Sequence, residues 1–372
     1  MLSCRKLVSG LSVAVALIVP SLAAAPSVWQ APACRVVSGP PAVTFTRDEG
    51  RTLAPLARPL QGISYTTGLV ALDVPNRLIA LQDTTLLISN DAGCRFAPFA
   101  RWNRTSLQPG QLVKGVGARA FAWTDGGSEL LRIDGTQLTP LKSPALAVYG
   151  FAADSADRAR VRLGDQAGAL WESTDAGVNW SPLGVAPPVQ SGLVYRVSFD
   201  PNNLDHAMVG SAVSGAFVTV DGGKTWTPST GFADDGRANV FNLVVAPTDG
   251  QTVYAMGLNL AESDAGAPSE GRHIYVSRNG GFSFQPIVDR SADVVIINGP
   301  TMAVDPVDAN ALYFIFGTSF DNYGTDIYKV DGLTGAVSTT HNAYDRMTSF
   351  AFNPAEPKVI YLGLGVEDVS GI

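Results

Sequence analysis

Beyond the first twenty-five residues, the apolar positions come in short runs closed by turn residues, and helical periodicity is absent. Several runs end on Asp or Asn followed by proline: Val197-Ser198-Phe199-Asp200-Pro201, Met302-Ala303-Val304-Asp305-Pro306 and Phe350-Ala351-Phe352-Asn353-Pro354. Each reads as an inner strand entering a turn. A second strand follows, such as Val253-Tyr254-Ala255-Met256-Gly257 or Val359-Ile360-Tyr361-Leu362-Gly363. The pattern predicts an all-β chain of many short strands.

One octet recurs along it: Ser or Thr, any residue, Asp, any, Gly, any, any, then an aromatic. Full copies run from Ser173 through Asp175 and Gly177 to Trp180, and from Thr219 through Asp221 and Gly223 to Trp226. Close variants run from Ser89 through Asp91 to Phe96 and from Ser277 through Asn279 to Phe284. A fifth, built on Thr46 and Asp48, ends on Leu53. The octet has the chemistry of a hairpin turn. The Asp carboxylate accepts from nearby backbone N–H groups, Gly takes the left-handed backbone, and the aromatic tucks under the turn as the next strand begins. Plain Asp-Gly turns at Asp134-Gly135 and Asp331-Gly332 extend the series.

The turn Asp or Asn falls at positions 48, 91, 134, 175, 221, 279 and 331, a spacing in the forties and fifties. A period of that size with several strands per repeat is the signature of propeller blades. The octet resembles the Asp-box, or BNR repeat, of sialidase-like, sortilin-like and photosystem II assembly factor-like β-propellers. The resemblance covers nearly all of the chain beyond the N-terminal segment. It implies a seven-bladed β-propeller with four-stranded blades over 43–372, closed by an N-terminal hairpin that completes the last blade. The motif itself leaves function open.

Composition agrees. There are 38 Gly and 24 Pro, charged residues make up 16%, and 26 Asp stand against 7 Glu, which favours turns over helices. The net charge of −7 argues against a nucleic-acid partner. Arg5 and Lys6 precede an apolar run over Leu7 to Val19, too short to span a bilayer, and small residues follow at Ser21 to Ala25. Residues 1–25 therefore read as a signal peptide, with 26–42 a separate N-terminal segment. The expected location is secreted or periplasmic, and the expected state is a monomer with no membrane span. In an oxidising compartment Cys34 and Cys94 read as a disulfide, two free thiols being the alternative.

By resemblance, the octet turns occupy one face of the propeller, and binding sites sit on the opposite, loop-rich face over the central channel. Trp102, Arg104, Asp235, Arg237, His341, Tyr344 and Arg346 fall in loops assigned to that face. Arg beside Tyr or Trp suits carboxylates and sugars, through forked hydrogen bonds and ring stacking. Asp48, Asp91, Asp175, Trp180, Asp221, Trp226, Asn279 and Phe284 are read as structural parts of the turns.

No metal site, cofactor motif or hydrolase signature stands out. A sialidase needs an Arg triad, a Tyr–Glu pair and a Phe/Tyr-Arg-Ile-Pro motif, and the last of these is missing. The sequence reading is a non-catalytic exported propeller that binds a protein or glycan, most similar to the photosystem II assembly factor family. A glycoside hydrolase using paired carboxylates on the loop face is the alternative.

Overall fold

A computed structural model describes residues 28–60, 63–317, 324–342 and 346–366. The signal-peptide reading and Tyr344 lie outside the described residues. The described chain is almost wholly strand and turn, with one short helix, Leu260–Asp264, capped by the Asn259 side chain.

The protein is an all-β propeller. Five four-stranded antiparallel meanders follow one another along the chain. The first comprises Gly110–Lys114, Arg119–Thr124, Glu129–Asp134 and Gln137–Lys142. The second comprises Val148–Ala153, Val161–Asp165, Leu170–Ser173 and Ser181–Leu183, and the third Val194–Asp200, Asn203–Ser211, Ala216–Thr219 and Thr227–Pro228. The fourth comprises Ala238–Ala246, Asp249–Asn259, Arg272–Ser277 and Gln285–Asp289, and the fifth Met302–Val304, Ala311–Gly317, Thr325–Asp331 and Val337–Asn342.

The two ends of the chain depart from this pattern, and they correct the expectation of seven four-stranded blades to five. Val43–Thr46, Ile360–Val366, Ser64–Ala71, Leu78–Gln82, Thr85–Ser89 and Ala97–Arg101 lie in that order in a single seven-stranded sheet, with Arg346–Phe352 also paired to Ile360–Val366. The join is made by Ser64 and Tyr65, which pair with Val366 and Gly365. Turn markers count turns, and they carry no information about whether neighbouring sheets fuse at their edges. The strand beginning at Val43 pairs with the last described strand (Val43↔Gly363 to Thr46↔Ile360), which leaves no open edge between the chain ends. The N-terminal segment packs on this sheet through buried Trp29 and Val37, and a Cys34–Cys94 disulfide, with Cα atoms 5.6 Å apart, secures it as expected.

Each octet begins on the last residue of a strand, and in the second, third and fourth blades that strand is the third. In the second blade, Ser173 Oγ donates to Asp175 Oδ1 (2.7 Å) and accepts from Gly177 N–H (2.8 Å), while Oδ1 also accepts from Asn179 N–H (2.8 Å). The bonds recur at Thr46, Ser89, Thr219 and Ser277. Two successive residues take left-handed backbone in every copy, including the non-glycines Glu49, Ala92 and Ala176. The second is always Gly, and space as well as φ requires it. A Cβ on Gly93 (φ +89°) would lie 2.7 Å from the Tyr361 ring. Phe96 and Phe284 are buried, and Trp180 packs edge-on against Phe151. Asp134-Gly135 makes a tight hairpin with Asp134 opposite Gln137, whereas Asp331 opens a longer loop that rejoins at Val337.

Candidate functional site

In each antiparallel meander, the third-to-fourth-strand turns, octets among them, and the first-to-second-strand turns share one end. The second-to-third-strand loops and the connections between sheets share the other. Inner strands surround the axis, and at the loop-rich end they enclose a cavity of about 460 Å³.

A local irregularity builds its wall. Five inner strands carry a β-bulge at the same level, between Thr66 and Gly68, Val148 and Gly150, Val194 and Arg196, Val240 and Asn242, and Met347 and Ser349. A bulge inserts one unpaired residue and re-aims the next. The residues that follow it, Gly68, Gly150, Arg196, Asn242 and Ser349, all line the cavity. Tyr195 and Phe241, two of the inserted residues, pack against each other with ring centres 4.6 Å apart. Asn242 is satisfied within the wall, donating to Pro300 O and accepting from Leu243 N–H. Ser349 Oγ donates to Thr66 O.

Arg196 is the exception in chemistry. Its Nη1 lies 3.1 Å from Asp125 Oδ2, a carboxylate presented by the loop after Arg119–Thr124. That loop is fixed by Asp125 N–H to Pro109 O and by reciprocal bonds between Gly126, Gly127 and Val148. Burial pushes the Asp125 carboxyl above its ordinary range, and the charge of Arg196 offsets this only in part. Asp125 is the sole carboxylate among the described residues lining the cavity. A two-carboxylate hydrolytic arrangement would need a second acid facing it across the cavity.

None of the described sequence candidates lines this cavity. Trp102 is buried, and the Arg104 guanidinium sits over its ring at 5.6 Å while donating to the carbonyls of Asp83, Ser106 and Gln108. Both side chains are thus committed to holding one loop. Arg237 pairs with Asp235 in its own turn and with Asp264 of the short helix, each at 2.9 Å, all in solvent. Exposed His341 contacts Asp326, and Arg346 lies over the Tyr65 ring at 5.4 Å. These residues occupy the loop-rich end, where the structure pairs Trp102 with Arg104 and Asp235 with Arg237.

The ring of post-bulge residues escaped the sequence reading, although a signal for it exists. Tyr149-Gly150, Tyr195-Arg196 and Phe241-Asn242 place an aromatic before a small or polar residue at intervals of 46.

No family model matches the sequence. Among solved structures, the chain is similar to YCF48 bound to D1 peptide, with a TM-score of 0.57 at 13% identity over 83% of this chain and 95% of that one. It is also similar to YCF48 from Cyanidioschyzon merolae, with a TM-score of 0.54 at 14% identity over 82% and 97%. For the GH74 xyloglucanase from Xanthomonas campestris the TM-score is 0.59 at 15% identity, covering 82% of this chain and 52% of the enzyme. At these identities the likeness is one of propeller fold. The curated dispase autolysis-inducing protein of Streptomyces mobaraensis is 45% identical over 338 residues, 90% of each chain. By that match, the chain belongs to the family of the dispase autolysis-inducing protein.

Proposed function

We propose that this protein is an exported, non-catalytic Asp-box propeller that binds a self-cleaving protease through its loop-rich end and promotes that enzyme's autolysis. The observation that carries the reading is the 45% identity over nine-tenths of both chains to a protein named for inducing dispase autolysis. The cavity chemistry supports it, because among the described residues the one acid lining the cavity is Asp125, and it is engaged by Arg196. A protein partner also suits the loop-rich end, where Leu107 and Leu146 stand almost fully exposed. The basic, apolar and small-residue stretches of the first twenty-five residues support export.

The test is incubation of the purified chain with dispase, following intact dispase by gel and residual proteolysis by peptide cleavage. Dispase should disappear faster with the chain than alone, and inhibited dispase should persist with or without it. An unchanged lifetime of active dispase overturns the reading. Loss of inhibited dispase would overturn it differently, by making the propeller itself the protease.

A further inference from the structure

The cavity that holds Arg196 does not end at the bulges. A second cavity, of about 410 Å³, begins where it stops, and the two share Phe151, Ala152, Ser198, Phe199 and Val244 on their walls. Together they form an axial passage with unlike halves. The half at the loop-rich end carries the guanidinium. The other is lined chiefly by Val113, Ala152, Phe199 and Val244, with the Lys114–Asp73 ion pair (2.9 Å) among its residues.

Arg196, its side chain about a quarter exposed, differs from Arg119, Arg160 and Arg162. Arg119 and Arg162 each meet both a carboxylate and a backbone carbonyl, and Arg160 meets three carboxylates. Among the described residues, Arg196 meets one acceptor, Asp125. A guanidinium has five N–H donors, so most of this one remains available on the passage wall. A cation would find no acceptor in the guanidinium, and a small polar molecule would leave the apolar half unfilled.

We propose that the axial passage binds a medium-chain aliphatic carboxylate, with its head group on Arg196 and its tail among Val113, Ala152, Phe199 and Val244. The site is independent of the protease reading, and either can fail without the other.

The experiment is calorimetric titration and thermal shift of the full chain with dodecanoate below its micellar concentration, alongside dodecanol, octanoate and acetate. Dodecanoate should bind at one saturable site and raise the melting temperature. Dodecanol should bind at least about tenfold more weakly, because a charge-assisted hydrogen bond to the head group is lost. Octanoate should also fall short by about tenfold or more, since each buried methylene adds to affinity. Arg196→Gln should reduce dodecanoate binding to the level of dodecanol. Ala152→Leu narrows the junction of the two cavities, leaves the Asp125–Arg196 pair in place and should abolish binding of the long chain. If Arg196→Gln fails to fold, Ala152→Leu decides the matter. Equal affinity for dodecanoate and dodecanol, undiminished binding to Ala152→Leu, or no saturable binding of dodecanoate overturns the proposal.

Discussion

Arg162 and Glu172 stand opposite each other on adjacent strands of the second blade, with Arg162 Nε donating to Glu172 Oε2 at 2.8 Å. The same guanidinium crosses to the third blade, where Nη2 reaches Asp205 at 2.5 Å and Nη1 meets the carbonyl of Leu204. It is almost fully buried, so it clasps two blades where water cannot replace it. Arg162→Ala should destabilise the protein by about 3 kcal/mol, because it leaves Glu172 and the Leu204 carbonyl short of a partner. Urea unfolding checks this, and a loss below about 1 kcal/mol, the level of an exposed pair, would show that the clasp is dispensable.

The octet carboxylates should make stability fall in acid. Asp175 is lowered from 3.8 to about 2 by the Asn179 backbone and side-chain bonds and by Ser173. Asp221 is lowered to about 2 by the corresponding bonds from Thr225 and Thr219. A depressed folded-state value means the stabilisation is present above the unfolded value near 3.8 and is lost as pH falls towards 2. Asn279 shows that an amide suits the same turn, accepting from Ser283 N–H at 3.0 Å. The double variant Asp175→Asn, Asp221→Asn should therefore fold at neutral pH and lose less stability than the parent between about pH 4 and pH 2. Parallel acid denaturation curves for the two proteins would refute the assignment.

Reducing the Cys34–Cys94 bridge, or replacing both cysteines by Ser, opens a covalent loop spanning 60 residues. The chain-entropy account gives a loss of about 4 kcal/mol, with release of the N-terminal segment from the closing sheet. Denaturation midpoints with and without reductant measure the loss. Proteolysis near Trp29 should appear only in the reduced protein.

Gly150 tests the bulge ring. A Cβ there would collide with the carbonyl of Val197 on the neighbouring inner strand. Gly150→Ala should force the two inner strands apart and cost on the order of 2 kcal/mol. Gly135→Ala meets no atom within 4 Å, so it isolates the backbone cost of a left-handed residue (φ +65°). A smaller loss for Gly150→Ala than for Gly135→Ala in thermal unfolding would argue against close approach at the axis.

By itself, the sequence determined what acts over short range. The hydrogen bonds from backbone N–H groups to the turn Asp or Asn side chains close within four residues, so Asp48, Asp91, Asp175, Asp221 and Asn279 announce those turns without knowledge of the rest of the fold. The β class, the repeat and the pairing of the only two cysteines beyond residue 25 follow from equally local or compositional facts. Only the tertiary structure decided how the repeats close and what their closure encloses. The fused sheet depends on Ser64 and Tyr65 meeting Val366 and Gly365 from the far end of the chain, and no local pattern distinguishes such an edge from a free one. Likewise, Asp125 and Arg196 belong to different blades, and each looks ordinary in its own strand or turn. A bulge turns Arg196 inward, and closure of the ring sets it beside Asp125 in a cavity secluded enough to raise that carboxyl's pKa. Trp102 and Arg237 carry the residue types of a binding face, yet burial claims one and local ion pairs the other, outcomes that depend on neighbours only folding supplies.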